Sequence, residues 1–592
     1  MNPQPVPTVD PVQRVRVWYA LLIVLFGIFA LRLFYLQVIR HDYYKKAALS
    51  DQLKQYSIPA ERGTISAQLG DSTVPIVLNQ KLYTLYADPT VVKKPATVAA
   101  KLQPIIGGNV DDIKDQLSTK GTRYVVLQKK LTAAQSKRIL SFKFPGVGTL
   151  EQDYRTYPQG NLASQLLGFV NANDKGEYGV EQALNHELAG TAGQLKAVTD
   201  INGVPLAASS DNVSTAPVNG SNVDLTINIG MQAQLERIIN DENKTLKAKS
   251  INALIMDPYT GAIKAMANTP SYDPANYSQV SSADVFTNGT TSNAIEPGSI
   301  VKLLTTAAAI NQGAIGPDST FYDPGSWTID GATIRDASAD GDTSGTQSIG
   351  STLNLSLNTG ATWMLMQMGG GQINAKARNA WYDYMTKHFR LGLQTGIEQG
   401  YEAAGYVPSP QDNGAGINLT YANTSFGQGI TATPVQMAAA IASILNGGTY
   451  YQPYLVQKVT TADGQTTVHQ PKVLERNVVS PQTSQDMVNL MEYVIQQHIK
   501  EGFGYLNFGG KYNLGGKTGT AQIALPSGGY DPTHFNGTYA GWIGGDKPQY
   551  LVMIYTDKPQ VLGNAGTSAG QLIFGNIAHM LVNDFEVTPK SH

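Results

Sequence analysis

The sequence predicts an α+β chain in three parts: an apolar helix at the N-terminus, a mixed region of strands and helices, and a larger domain whose antiparallel sheet is flanked by helices. Three observations predict it. Apolar residues run almost unbroken from Val17 to Leu36. Between residues 40 and 220, short alternating segments such as 81–87 are interspersed with segments of helical period such as 132–140. From Asn222 onward, strand, helix and hairpin patterns follow one another as an antiparallel sheet covered by helices requires. A chain of 592 residues has room for two or three domains with sizeable cores.

Residues 1–16 are Pro-rich and polar, the composition of a disordered tail. Residues 17–31 are continuously apolar or small, Arg32 interrupts them, and Leu33-Phe34-Tyr35-Leu36 resumes the run. About 20 helical residues cross a bilayer, so residues 17–39 span one if Arg32 sits near a face and snorkels. A cleaved signal peptide is the rival reading, because the uninterrupted core is short and Ala47-Ala48 lies downstream. Continuation of the apolar pattern past Arg32 favours an anchor. Arg14 and Arg16 on one side are matched by Arg40, Lys45 and Lys46 on the other, so charge does not set the orientation.

Within residues 40–220, segments 81–87 and 124–127 read as strands and 132–140 as a helix. His186-Glu187 resembles the start of a zinc-protease helix, but Gly190 stands where the second histidine is needed. Asn202-Gly203 and Asn219-Gly220 punctuate a polar stretch and mark a linker. In residues 221–592, segment 223–227 reads as a strand and 231–239 as a helix. Segments 252–256 and 262–266 read as a hairpin around Asp257-Pro258-Tyr259-Thr260-Gly261. Pro434 suits the first turn of a helix over 435–445. Segments 539–543 and 550–555 read as strands, and 571–582 as a closing amphipathic helix. With a net charge of −2, no bulk electrostatic field argues for a nucleic-acid partner, and none is expected. The absence of cysteine rules out disulfides, thiolate nucleophiles and cysteine-bound zinc.

The chemistry concentrates in Glu296-Pro297-Gly298-Ser299-Ile300-Val301-Lys302. A serine after Pro-Gly opens a run of helix formers, and one helical turn stacks the Lys302 amine beside the Ser299 hydroxyl. A serine hydroxyl is a poor nucleophile until a base takes its proton, and an unprotonated lysine is such a base. This Ser-x-x-Lys is the only one in the chain, and two companions follow it in order. They are Ser356-Leu357-Asn358 and Lys517-Thr518-Gly519, the latter flanked by Gly515-Gly516 and Thr520-Ala521-Gln522. Ser210-Asp211-Asn212 and Ser250-Ile251-Asn252 also fit Ser-x-Asn, but both precede Ser299. Gly566-Thr567-Ser568-Ala569-Gly570 fits a nucleophile elbow, yet too few residues follow for the Asp and His that such a serine needs. It reads instead as a small-residue helix start that lets backbones pack closely.

The ordered trio resembles that of the class B penicillin-binding proteins, the membrane-anchored D,D-transpeptidases of peptidoglycan synthesis. The likeness extends over nearly the whole chain: Arg32-Leu33-Phe34-Tyr35-Leu36-Gln37-Val38 at the anchor end, then Glu61-Arg62-Gly63, Asp88-Pro89, Phe144-Pro145-Gly146-Val147, Arg155, Tyr157-Pro158, and Gly179-Val180-Glu181 through Leu188-Ala189-Gly190. Ser425-Phe426-Gly427-Gln428-Gly429-Ile430 belongs to it as well. Two places depart from the pattern. Ser66-Ala67-Gln68-Leu69-Gly70 replaces the usual Asp-Arg-Asn-Gly turn, and Leu357 stands where Ser or Asp is usual.

The resemblance implies a cytoplasmic tail at 1–16, a single-pass anchor at 17–39, a non-catalytic pedestal of dimerisation type at 40–220 and a transpeptidase domain at 221–592, outside the cytoplasm. It implies a stem peptide ending in D-Ala-D-Ala as substrate and covalent inhibition by β-lactams. Ser299 would form the acyl-enzyme, Lys302 act as base and Ser356 relay a proton to the leaving amine. Asn358 would hold the lysine or the substrate, Lys517, Thr518 and Gly519 would bind the donor end, and the Ser299 and Thr520 amides would form the oxyanion hole. No metal or organic cofactor is needed, and a membrane glycosyltransferase and other wall-synthesis proteins are the expected partners. A β-lactamase, a D,D-carboxypeptidase, a β-lactam sensor and a non-enzymatic scaffold are the alternatives. Length and Lys196-Ala197-Val198-Thr199-Asp200 lean towards the division type over the elongation type.

Overall fold

Pro11 opens a helix, Pro11–Phe34, that continues through a wider turn at Tyr35–Ile39. Proline fits a first helical turn because the N–H it lacks has no partner there, and no breaker follows it, so the helix starts inside the predicted tail. Among the described residues, Val12–Ile39 is the one helix long and apolar enough to cross a membrane. Its apolar side chains are exposed on every face, the pattern of a helix whose surface suits lipid. The computed structural model describes residues 11–45, 53–198, 213–336, 343–411, 414, 416–524, 530–561 and 565–591. The expectations placed on residues 1–10, Lys46, Ala47-Ala48, Thr199-Asp200, Asn202-Gly203 and Ser210-Asp211-Asn212 lie outside them.

Residues 1–60 and 190–219 make up one compact unit; residues 61–189 and 220–592 make up a second. In the first unit, strands Leu53–Ile58, Gly193–Val198 and Val213–Thr215 form a three-stranded antiparallel sheet.

In the second unit, pairing carries one sheet across the expected boundary at residue 220. Strand Ile65–Leu69 lies parallel to Asn222–Asn228, with Ile65 opposite Val223, and antiparallel to Ser72–Ala87. Asn222–Asn228 in turn pairs with Val456–Thr460. Strands of this sheet carry part of an internal charge cluster. Arg62 Nε and Arg155 Nε each donate to the Glu181 carboxylate at 2.7 Å, and Glu181 is fully buried. Asn185 and Asn79 take further guanidinium N–H groups at 3.0 and 2.9 Å. The strand read at 81–87 is the end of the longer Ser72–Ala87, and the helix read at 132–140 is Ala133–Ser141 behind a Thr132–Gln135 capping box.

A further sheet of the same unit is five-stranded and wholly antiparallel. Its order is Ile263–Thr269, Ser250–Met256, Pro548–Asp557, Tyr530–Gly544, Asn513–Ala524. Alternation with period two sorts its side chains onto two faces. Leu254, Met256, Ala540, Trp542, Leu551 and Met553 pack towards helices Val301–Asn311, Pro434–Leu445 and Pro481–Lys500. Ala253, Ile255, Tyr539, Ile543, Val552 and Ile554 pack towards Ile229–Leu246 and Leu572–Asp584. Asn513–Ala524 is the edge strand, with no further strand beside it among the described residues.

Candidate active site

Ser299 sits in a single tight turn, Gly298–Ile300, that leads straight into helix Val301–Asn311. Strand Asn513–Ala524 crosses against this turn, and the crossing is close enough to require glycine. A Cβ on Gly519 would lie 2.1 Å from Thr538 Oγ1 and 3.0 Å from the Pro297 carbonyl oxygen. From the other side, Gly298 N donates to the Gly427 carbonyl at 3.1 Å, and a Cβ on Gly427 would lie 2.1 Å from Gly298 O. Thr538 Oγ1 donates to Pro297 O at 2.8 Å and Glu296 accepts from Gly429 N at 2.9 Å, so the turn is pinned at both ends.

Lys302 follows one turn later and is fully buried. Its Nζ donates to the Ser356 carbonyl, lies 3.2 Å from Ser356 Oγ and donates to Asn358 Oδ1 at 2.9 Å. Ser356 holds a left-handed backbone (φ +58°), a conformation a non-glycine residue adopts only when its surroundings impose it. That conformation turns both of its oxygens towards the lysine. Leu357 between them is fully buried, so the departure from a polar residue is absorbed by the core. Asn358 is the first residue of helix Asn358–Met368 and its side chain makes no cap; it holds the lysine instead.

Lys517 is also buried, 1 % exposed, and lies on the edge strand. Its Nζ donates to the Thr518 carbonyl at 3.0 Å. Burial pushes Lys302 well below the usual lysine range, the Lys517 charge pushes it further down, and Asp336 opposes both. Burial lowers Lys517 to about 7. Burial and the neighbouring Lys517 charge thus favour the unprotonated form of Lys302.

Thr520 lies next to Gly519, and its Oγ1 accepts from Gly566 N at 3.1 Å. Gly566 itself packs on the same strand, where a Cβ would lie 2.4 Å from Gly519 O, so the apparent nucleophile elbow is the close-packed helix start expected of it. Of the residues read from the sequence, Lys302, Ser356 and Asn358 form one hydrogen-bonded group, while Lys517, Thr518, Gly519 and Thr520 line the strand beside Ser299. Sequence reasoning missed Asp336 and Thr538. Neither belongs to a motif, and both are brought in by long-range contacts.

The model of the penicillin binding protein transpeptidase domain matches residues 251–579, over half of the chain, and that of the penicillin-binding protein dimerisation domain matches 57–225. Penicillin-binding protein PbpB of Mycolicibacterium smegmatis is 32% identical over 83% of this chain and 73% of its own length. Peptidoglycan D,D-transpeptidase FtsI of Escherichia coli is 27% identical over 95% of this chain and 90% of its own. Penicillin-binding protein 3 of Mycobacterium tuberculosis, solved with aztreonam, superposes with a TM-score of 0.65 at 24% identity, covering 90% of this chain and 98% of that one. With the ordered motifs, the buried lysine pair and these matches together, the chain belongs to the class B penicillin-binding proteins.

Proposed function

We propose that the chain is a peptidoglycan D,D-transpeptidase of cell-wall synthesis whose nucleophile is Ser299. The observation that carries the reading is the Lys302 amine, held by Ser356 and Asn358 one turn beyond Ser299 and depressed by its burial and then by Lys517. Lys302 in its neutral form takes the Ser299 proton as the hydroxyl oxygen bonds to the carbonyl carbon between the two D-alanines. The carbonyl oxygen becomes an oxyanion that the Ser299 and Thr520 amides face. The C–N bond to the terminal D-alanine then breaks, and the proton passes from Lys302 through Ser356 to the leaving amine. A second stem's side-chain amine attacks the ester, forms the cross-link amide and returns the proton to Ser299.

Lys517 in its charged form, with Thr518 and Gly519, receives the donor's terminal carboxylate, which selects C-terminal over internal bonds. A β-lactam presents its own carboxylate and strained amide to the same groups and stops at the ester. Residues 17–39 serve as the membrane anchor, 40–220 as pedestal and 221–592 as the catalytic domain. The N-terminus is cytoplasmic, the active site lies outside, and a membrane glycosyltransferase supplies the glycan strands. Labelling with a fluorescent penicillin tests the assignment: wild type is tagged covalently, Ser299→Ala is not. A Ser299→Ala protein that still carries the label defeats it.

A further inference from the structure

We infer that Asp336 is a positioning residue of this site: it fixes the start of helix Asn358–Met368, and with it the Asn358 amide, in the orientation Lys302 needs. The inference rests on the roles just proposed for Ser299 and Lys302 and adds a residue outside the three motifs. Asp336 follows strand Ala332–Arg335, which forms a hairpin with Ser326–Ile329. Both of its carboxylate oxygens accept, Oδ1 from Thr359 N at 3.0 Å and Oδ2 from Thr359 Oγ1 at 2.7 Å. Burial raises the Asp336 carboxyl above its ordinary range, while the two Thr359 contacts and the Lys302 charge favour its ionised form. A carboxylate on a free N–H of a helix's first turn also meets the positive end of the helix dipole.

The adjoining Arg335 carbonyl accepts from Asn358 Nδ2 at 2.9 Å. An amide whose NH₂ is committed to a carbonyl presents its oxygen the other way, and there Asn358 Oδ1 meets Lys302 Nζ. Rotating that amide would aim N–H donors at the amine and leave the Arg335 carbonyl without its partner. The opposite end of the hairpin is tied down too. Asp330 Oδ2 accepts from Asn418 N and Leu419 N at 2.8 and 3.1 Å, at the start of helix Ile417–Thr424. That helix runs on into Gly427, which receives the Gly298 N–H. One hairpin thus braces the Ser-x-Asn segment while anchored to the element that backs the nucleophile turn.

Asp336 has an electrostatic side as well. Lys302 is faced by Lys517 and Asp336, Asp336 by Asp323 and Lys302, and Lys517 by His498. Asp336 is the negative charge that counters Lys517 at Lys302, so neutralising it favours the free amine.

The test uses the full chain in detergent, with acylation by a fluorescent penicillin followed against pH. Asp336→Asn keeps the shape and an acceptor for Thr359 N but removes the charge. Its rate should reach half-maximum about one pH unit lower than wild type, and Asp336→Glu should bring the midpoint back. Asp336→Ala, which releases the helix start, should slow acylation about tenfold at the plateau pH. An Asn variant with an unmoved midpoint, or an Ala variant acylating at the wild-type rate, overturns the inference. If the Asn variant does not fold, Thr359→Val removes the hydroxyl that holds the carboxylate; it should slow plateau acylation about threefold, and a wild-type rate overturns the inference. Ser299→Ala is run beside them. Label on that variant overturns the nucleophile itself, whereas an unlabelled control with unaffected Asp336 variants overturns only the positioning role.

Discussion

Lys517→Met separates what the site does from what it costs. The side chain is 1 % exposed, and burial lowers its pKa from the ordinary lysine value to about 7. In the unfolded chain the group is an ordinary lysine, so the unfolded state binds the proton more tightly across that interval. The sign follows: folding is disfavoured wherever the unfolded lysine is charged, most at and below pH 7, and the penalty fades as pH rises towards 10.5. Three to four pKa units at about 1.4 kcal/mol each, less the part already titrated at pH 7, give about 4 kcal/mol. Methionine has nearly the same length and volume, carries no charge and fits a strand beside the core. Lys517→Met should therefore be more stable than wild type by about 4 kcal/mol at pH 7 and by only about 1 kcal/mol at pH 10. In a unit of this size that is a rise in Tm of about 5 °C, read by calorimetry at both pH values. Acylation should meanwhile fall about tenfold to a hundredfold, the worth of one charge-assisted hydrogen bond to the carboxylate. A variant less stable than wild type at pH 7, or equally stabilised at both pH values, would refute the account of Lys517 as a buried cation held against its solvation cost.

Gly519→Ala should reduce acylation about a hundredfold, because its Cβ drives the edge strand away from Thr538 Oγ1 and Pro297 O and misplaces Thr520 relative to Ser299; Thr538→Ala added to it should restore part of the rate, measured with the same fluorescent penicillin. Glu181→Gln leaves Arg62 and Arg155 facing each other without a carboxylate and should cost about 3–5 kcal/mol, seen as a lower urea midpoint. A chain lacking residues 1–39 should stay unbound to lipid vesicles yet remain acylated by penicillin, whereas the full chain co-sediments with them; loss of acylation would count against an anchor that plays no part in the chemistry.

The parts of this protein that were legible in its sequence are those encoded over short distances. Ser299 and Lys302 are one helical turn apart, the strand at 513–524 is marked by glycines around Lys517, and the hairpin at 250–269 is set by a turn between two apolar runs. The parallel pairing of Ile65–Leu69 with Asn222–Asn228 was not legible, because nothing local specifies which distant strand an apolar segment will meet. The same holds for Asp336, an acidic residue after a short strand until Thr359, 23 positions on, is folded against it. The glycines connect the two kinds of information. Gly519 and Gly427 look like ordinary flexible punctuation, yet a side chain at Gly427 would meet the Gly298 backbone and one at Gly519 would meet the Thr538 hydroxyl and the Pro297 carbonyl. The buried lysines mark the same place in another way: taking an ammonium group out of water opposes folding, and no packing argument asks for it. Local rules fail together at Lys302, Ser356 and Lys517, where two buried amines and a left-handed serine oppose folding, which is what the proposed catalytic role asks of them. A buried lysine pair flanked by close-approach glycines is therefore a stronger sign of an acylating serine than the Ser-x-x-Lys spacing, which any exposed helix can match.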